Sequence, residues 1–217
     1  ALKRVQQTVQ TLIDEVIAEA TILCYVMQLY RALAAWEQAA IDQLLAQPTL
    51  HVDETSLRVA RKNHWIHVYA AGDITLITAI DIIPRYGGVI VHDCWASYLA
   101  YDHCGHGLCG AHLLRELTFV VDANGYRWAA NLKRLLQETC VRVAARPEKC
   151  LTDTEYRHLR KHYRNLLTRG ARELPPIPPR QDGKRGRIAK SDAHNLWERL
   201  KRYEDAVLLF AKQPQVP

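Results

Sequence analysis

The chain has 217 residues, of which 48% are hydrophobic, and a net charge of +6, so it is long enough to bury a substantial core in one or two domains. It contains no apolar run near the ~18 residues that a membrane span needs and no signal peptide, so we expect a cytoplasmic protein that does not enter a membrane. Its six cysteines are too sparse for a disulfide scaffold and are interpreted as reduced thiols.

The charge is distributed unevenly along the chain. Residues 1–111 contain 7 Lys and Arg against 11 Asp and Glu, whereas residues 112–217 contain 22 against 12. An acidic half beside a basic half suits a protein that processes a polyanion, because the first can concentrate metal ions and the second a phosphate backbone. The alternative is that the basic residues only form solvated helix faces.

The first 48 residues are predicted to be a helical segment. Apolar residues recur at helical spacing over residues 5–17 and again over residues 22–36, which is typical of amphipathic helices. Two short helices followed by a longer one would permit a DNA-binding helix-turn-helix, with its second helix opening at Glu19. Ordinary helix packing is the alternative, and Pro48 ends the helical region.

A series of β-like runs follows Pro48. Residues 50–55, 65–70 and 74–78 are short runs rich in β-branched and aromatic residues, and Ala71-Gly72-Asp73 between the last two predicts a hairpin turn. A further run over residues 87–92 is nearly all apolar, which suits a strand buried on both faces. We therefore expect Asp53 to begin an antiparallel meander and Asp93 to end a later strand of the same sheet.

These two aspartates are the candidate catalytic and metal-binding residues. A carboxylate at the end of each of two strands in one sheet is a common way to place two hard oxygen ligands on one magnesium ion. Such a pair is typical of enzymes that cut and join phosphodiester bonds. The alternative is that Asp53 and Asp93 are only turn residues that close their strands.

The second half is predicted to be mainly helical. A short helix around residues 95–101, a Gly/His/Cys loop and a possible strand at 107–109 lead to helices over residues 112–121, 128–146, 153–168 and 191–212. Ser191 is a candidate N-cap for the last helix. A polyproline-like spacer over residues 174–179 precedes a basic, glycine-containing loop.

Five metal-ligand side chains lie within ten residues in the Gly/His/Cys loop. They are His103, Cys104, His106, Cys109 and His112. The short separation of the last two suggests a zinc site, although no second Cys pair lies at the usual distance. The favoured alternative is that Cys109 is a buried strand residue and that His112 stands at a helix start close to the aspartates.

Two clusters of cations are candidate DNA-binding residues. The first consists of Arg157, Arg160, Lys161 and Arg164, and the second of Lys184, Arg185 and Arg187. Spacings of three and four place the first cluster on adjoining positions of one helix face. We expect both clusters to contact DNA phosphates, unless the helix face is merely solvated.

Four stretches in order resemble a known family over nearly the whole chain: HVDET, VHDCWASY, LCGAHLLREL and a late Arg-Gly-Arg run followed by Asn-Leu-Trp-Glu-Arg-Leu. They are similar to the catalytic region of bacterial insertion-sequence transposases of the insertion sequence 66 family. The resemblance implies an α/β, ribonuclease-H-like mixed sheet at residues 49–118, with Asp53 and Asp93 as the first two acids of a DDE triad. Cys109-Gly110-Ala111-His112 matches the family's Cys-x-Ala-His motif, which precedes an all-helical insertion domain, here residues 119–217.

The resemblance also implies an activity and partners. The expected reaction is magnesium-dependent cleavage and strand transfer at transposon ends, with two Mg²⁺ or Mn²⁺ ions in the complete site. The expected partners are double-stranded DNA, both transposon ends and target, and a second copy of the chain in a homodimer on DNA at the bacterial nucleoid. Two alternatives stay open: a nuclease of the same fold that cuts without joining, and a non-catalytic DNA-binding fragment.

The chain departs from the family pattern at the third acid. In the family this acid lies in an Asn-Asn-x-Ala-Glu-Arg motif after the helical insertion, which the 217 residues do not contain. We therefore expect an incomplete triad. Glu116 is the nearest substitute acid, but it precedes the insertion, so Glu116 and His112 are expected to be supporting residues.

Overall fold

The computed structural model describes residues 2–177 and 190–216. The chain divides into two compact units, Ala1–Ala46 and Gln47–Pro217. The sequence placed the first boundary at residue 48, close to this division. Its second boundary, between residues 118 and 119, falls inside a helix of the second unit and stays a prediction.

The first unit consists of helix α1 (Leu2–Ile13) and helix α2 (Glu19–Leu45). The side-chain amide of Gln6 donates to the carbonyl of Ile17 (2.7 Å) and ties the connection to α1. The expected third helix is not separate, because α2 runs for 27 residues without a glycine or proline to interrupt it. The prediction of two short helices and a longer one is therefore wrong, and the helix-turn-helix stays a prediction.

The second unit opens with an antiparallel meander of β1 (Thr49–Val59), β2 (Lys62–Ala71) and β3 (Ile74–Thr78). The predicted meander and the hairpin turn before β3 are confirmed, and Gly72 has the positive φ of 55° that this turn needs. Ala60 and Arg61 also have positive φ at the β1–β2 turn. Because strand β1 extends from Thr49 to Val59, Asp53 lies within a long strand rather than at the end of one.

Two short parallel strands complete the sheet. Strand β4 (Val89–His92) pairs with β1, and β5 (Gly105–Leu108) pairs with β4. The five-stranded mixed sheet has the order β3-β2-β1-β4-β5. Asp93 follows β4 directly, as predicted. Cys109, predicted to be a strand residue, instead stands at the N-cap of the next helix.

Among the described residues, five α-helices follow the sheet. They are α3 (Gly110–Asn124), α4 (Arg127–Ala144), α5 (Asp153–Glu173), α6 (Asp192–Arg202) and the short α7 (Glu204–Val207). The predicted helix around residues 95–101 is only a 3-10 turn at Tyr98–Ala100. The predicted helix at residues 191–212 breaks at Tyr203, although Ser191 caps its start as predicted by accepting from the His194 amide.

Helices α3 to α6 surround a core that contains Trp128 and Tyr163, both essentially unexposed. Gly170 of α5 permits this packing, because a Cβ there would lie 3.0 Å from ring atoms of both Trp128 and Trp197. The boundary predicted after residue 118 lies within α3. Of the helices in residues 2–177 and 190–216, none is long and apolar enough to cross a membrane.

Candidate active site

Strand register brings Asp53 and Asp93 together. In the parallel β1–β4 ladder His51 pairs with Val91, so continuing the register by two residues sets Asp53 opposite Asp93. Alternate residues of a strand point to the same face, and both aspartates therefore share the face of His51 and Val91. In agreement with this, the two aspartates line one pocket of about 150 Å³.

The remaining pocket residues come from strands β1, β2 and β4 and from the β5–α3 junction. The strands contribute an apolar lining that includes Val68, Ala70 and Val91, and the junction contributes Cys109 and His112. The Nδ1 atom of His112 is buried and has no hydrogen-bond partner among the described residues. The pocket thus combines two carboxylates, a thiol and an imidazole nitrogen with no bonded partner.

Each aspartate is oriented by a backbone amide. Oδ1 of Asp53 accepts from the Glu54 N–H, and Oδ1 of Asp93 accepts from the Trp95 N–H, both at 2.9 Å. None of the described residues that line the pocket is a lysine or arginine. The pocket therefore presents two carboxylates that no lining lysine or arginine neutralises.

A third carboxylate, Glu54, lies close to the pair but was missed by the sequence analysis. Burial is the main cause that raises the pKa of Glu54, and the charges of Asp93 and Asp53 raise it further, while the Tyr98 hydroxyl opposes them. Oε2 of Glu54 and the hydroxyl of Tyr98 are both buried without a hydrogen-bond partner among the described residues. Glu54 adjoins Asp53, but strand alternation turns it to the other face of the sheet.

The five candidate zinc ligands are dispersed rather than gathered. Cys109 and His112 line the aspartate pocket. By contrast, His103 contacts the Ile83 carbonyl (3.2 Å), the buried Cys104 thiol donates to the Tyr86 carbonyl (3.2 Å), and His106 contacts His92 (3.1 Å). Within the described ranges no three His, Cys, Asp or Glu side chains are grouped to hold a metal ion. The structure thus does not assemble the suggested zinc site.

Glu116 does not line the aspartate pocket. Its carboxylate forms an ion pair with Arg199 of α6, and it lines a separate cleft between α3 and α6 with Phe119 and Asn195. The carboxylate is thus bound to a cation on the helical side of the second unit. This placement argues against Glu116 as a substitute acid.

The basic face of α5 is only partly available to a ligand. Glu204 of α7 accepts from Arg160 (2.6 Å) and from Arg164 (2.7 Å), and Arg160 also pairs with Asp205 (3.0 Å). Burial alone would raise the pKa of Glu204, but the hydrogen bonds from Arg164 and Arg160 outweigh it and lower that pKa. Arg160 is therefore committed to partners within the protein.

The other predicted DNA-binding cations differ in their surroundings. Arg157 donates to Oγ1 of Thr154 (3.1 Å), Lys161 is exposed, and Arg164 retains 60% side-chain exposure despite its ion pair. These three residues form an exposed basic stripe along α5. The second predicted cluster, Lys184, Arg185 and Arg187, lies outside the described residues.

An α/β sheet that pairs two aspartates beside a large basic helical part is the organisation expected of an enzyme that processes nucleic acid. A family model described as "Transposase IS66 family" matches residues 1–217, and the chain belongs to this family of DNA-transposing enzymes. The family resemblance inferred from the sequence motifs is thus confirmed. Comparisons with curated proteins and with solved structures found no match.

Proposed function

We propose that the chain carries the catalytic region of a DDE transposase, in which Asp53 and Asp93 hold the metal for magnesium-dependent cleavage and strand transfer at transposon ends. The observation that supports this most is the placement of the two aspartates in one pocket that no lysine or arginine lines. The β3-β2-β1-β4-β5 order is consistent with the ribonuclease-H-like core that the family motifs imply. DNA is the substrate that the family indicates.

The residues present fit Mg²⁺ or Mn²⁺. Mg²⁺ prefers carboxylate oxygens, keeps several waters and is commonly bound through only one or two carboxylates. The amides of Glu54 and Trp95 fix one oxygen of each aspartate and so orient the second oxygen toward a ligand. When bound, the metal would supply charge stabilisation at the phosphate and lower the pKa of an attacking water or 3′-hydroxyl.

The third carboxylate of the triad comes from outside the described pocket residues, among which Asp53 and Asp93 are the two acids. The expected source is the family's Asn-Asn-x-Ala-Glu-Arg motif. Within the described residues, Val216 is buried and its Cγ1 lies 3.6 Å from where a Cβ of Gly107 would stand. Gly107 pairs with Val91, so Val216 packs on the sheet face that carries the aspartates.

The exposed stripe of Arg157, Lys161 and Arg164 supplies DNA affinity through phosphate contacts, together with the loop cations Lys184, Arg185 and Arg187. Phosphate contacts give affinity without sequence preference and weaken steeply as salt rises. In this arrangement the aspartates position metal and the helical part holds the DNA. The active form on DNA is a homodimer, which light scattering of the protein–DNA complex would test.

The experiment compares the 217-residue chain with a version extended through the expected Asn-Asn-x-Ala-Glu-Arg motif. Both should bind a duplex that carries a transposon end, but only the extended protein should nick it in Mg²⁺ and transfer the strand. Glu116→Gln in the extended protein should change little, because Glu116 is paired with Arg199. Cleavage by the 217-residue chain that Glu116→Gln stops would instead make Glu116 the third acid.

A second function, DNA binding without catalysis, is favoured for this chain by the presence of only two carboxylates among the described pocket residues. It would be supported if the extended protein bound transposon ends equally well in Mg²⁺ and in EDTA and cleaved nothing. Nicking without strand transfer would indicate the nuclease alternative.

A further inference from the structure

Two histidines, one fully buried and one half-buried, lie on the sheet face opposite the aspartate pocket. His92 is the last residue of β4 and is fully buried, directly before Asp93. His106 of β5 pairs with Ile90, two residues before His92, so both imidazoles project from the same face. Their nitrogens Nε2 of His92 and Nδ1 of His106 are 3.1 Å apart.

The partners of this pair fix where each ring carries its proton. The Cys94 N–H can only donate, so Nδ1 of His92, at 3.1 Å, accepts. His92 then carries its proton on Nε2 and donates to Nδ1 of His106. His106 in turn carries its proton on Nε2 and donates to the Tyr101 carbonyl, also at 3.1 Å. This tautomer assignment follows from the partners, and it leaves both rings neutral.

His92 is held in place by its packing. Its side chain is fully buried, and the Tyr98 ring packs against the His92 ring at 5.3 Å between centroids. His92 thus presents its Nδ1 acceptor to the Cys94 amide from a packed position.

The amide that His92 accepts from belongs to a strained turn. Cys94 has φ of 78°, a left-handed conformation that residues other than glycine adopt at an energetic cost. This turn carries Asp93, whose Oδ1 in turn accepts from the Trp95 amide. Two hydrogen bonds therefore hold the backbone from residue 92 to residue 95, one from each face of the sheet.

We propose that the His92–His106 pair is a positioning device for Asp93, which holds the Cys94 amide in its strained turn and thereby sets the direction of the Asp93 carboxylate. The inference rests on the proposed role of Asp93 as a metal ligand. Partners of metal-ligating side chains commonly matter for metal affinity by 10- to 100-fold. Neither histidine touches the metal or the DNA in this role.

A purely structural role for the pair predicts a different outcome. If His92 and His106 only filled the core, a change that breaks their hydrogen bond would lower stability and leave the metal affinity of the folded protein unaltered. A positioning role predicts weaker metal binding by protein that remains folded. Metal affinity and stability measured on the same variants therefore separate the two roles.

The test uses two variants, His106→Asn and His106→Gln, whose side-chain amides lie at different distances from the backbone. In His106→Asn the side-chain oxygen occupies the place of Nδ1 and can still accept from His92, whereas in His106→Gln the amide extends to the place of Nε2 and loses that bond. Mn²⁺ affinity of the 217-residue chain is measured by isothermal titration calorimetry and the melting temperature by circular dichroism. DNA affinity is measured in EDTA, where the metal plays no part.

We expect His106→Gln to weaken Mn²⁺ binding by about 10-fold with DNA affinity unchanged, and His106→Asn to stay close to the unaltered chain. A folded His106→Gln variant with unaltered Mn²⁺ affinity would overturn the positioning role. If His106→Gln does not fold, His92→Asn replaces it. That variant keeps an acceptor for the Cys94 amide but loses the bond to His106, so the positioning role predicts Mn²⁺ binding weakened by about 10-fold. Unaltered Mn²⁺ affinity of the folded His92→Asn variant would overturn it.

Asp93→Asn distinguishes failure of this inference from failure of the proposed function. If Asp93→Asn weakens Mn²⁺ binding and His106→Gln does not, the metal site stands and the positioning role is wrong. If Asp93→Asn leaves Mn²⁺ binding unaltered, the proposed metal site is wrong and the positioning role falls with it.

Discussion

The aspartate pocket and the α5–α7 contact differ in whether their charged side chains have partners of opposite charge. In the pocket, Asp53 and Asp93 are held by backbone amides, with no lysine or arginine among the described lining residues. Between α5 and α7, Glu204 is bound by the guanidinium groups of Arg160 and Arg164. Only the charged groups that lack an oppositely charged partner within the fold are available to a ligand. The number of charged residues in a sequence therefore does not show how much charge a ligand meets.

This difference assigns a role to each region. Asp53 is exposed and Asp93 half-buried, so both carboxylates of the pocket are accessible to a ligand. An ion pair on a partly exposed surface contributes only about 0–1 kcal/mol, so the Glu204 contacts mainly orient α5. Arg164 has features of both kinds of cation on α5: it is paired with Glu204, and yet its side chain is 60% exposed.

The largest effect is expected for Asp93→Asn, which removes one of the two uncompensated charges. Mn²⁺ affinity of the 217-residue chain should fall at least about 10-fold, because a neutral amide is a poor substitute for a carboxylate ligand. DNA affinity in EDTA should stay within about twofold, because phosphate contacts come from the basic part. In the complete transposase, magnesium-dependent cleavage should be lost.

The matched control is Asp122→Asn, which removes the same charge from an exposed position of α3. It should alter neither Mn²⁺ nor DNA binding. Equal Mn²⁺ affinities for both variants would mean that the pocket is not a metal site.

The second prediction separates exposed from compensated cations on α5. The double variant Arg157→Ala/Lys161→Ala should reduce the slope of log K against log salt by about 1.8, since each lost phosphate contact removes about 0.9. Arg160→Ala should leave that slope unchanged, because Arg160 is bound to Glu204 and Asp205. Fluorescence anisotropy of a labelled duplex at several salt concentrations measures both.

A reversed result would contradict the assignment of these cations. If Arg160→Ala flattened the slope and the double variant did not, the ion pair with Glu204 would have to open on DNA. The exposed stripe would then be only a solvated face.

The two regions also differ in what the sequence could predict. Runs rich in β-branched and aromatic residues predicted the antiparallel meander, turn-forming residues predicted the turn at Gly72, and a nearly all-apolar run predicted the strand before Asp93, because such patterns reflect local structure and burial. They could not give the register that sets Asp53 opposite Asp93, which depends on pairing between strands far apart in the chain. Glu54 was not predicted either. It adjoins Asp53 in the sequence, but strand alternation places it on the opposite face of the sheet.

The charge run in α5 was harder to interpret for the same reason. Helical spacing correctly predicted a helix and one basic face. It could not reveal that Glu204 would reach Arg160 across 44 residues of sequence, because long-range contacts leave no local pattern. The prediction of two short helices and a longer one failed because residues 19–45 form one helix that contains neither glycine nor proline.

The third prediction concerns the packing that places α5 beside α4 and α6. Gly170→Ala should lower the free energy of unfolding by about 1–3 kcal/mol, the usual cost of overpacking a core, because its Cβ would stand 3.0 Å from Trp128 and Trp197. The gain in helix propensity, about 1 kcal/mol, offsets only part of this. Gly110→Ala is the control, since nothing lies within 4 Å of a Cβ there, and urea unfolding followed by circular dichroism compares them.

The smallest effect is expected from Glu155, a compensated carboxylate at the start of α5. Hydrogen bonds from Arg146, and then from Thr152, lower its pKa from 4.5 to about 2. Because the folded-state pKa is below the unfolded one, the stabilisation is fully present above about pH 5 and is lost as the pH falls from there toward 2. The urea midpoint of the unaltered chain should therefore exceed that of Glu155→Gln at pH 6, and the gap should narrow toward pH 2.5. The group is exposed and salt screens it, so we expect a small difference, reduced further in high salt. A gap that stayed constant over this pH range would mean that the carboxylate charge of Glu155 does not stabilise the α4–α5 junction, and that its capping contact with Thr152 acts without it.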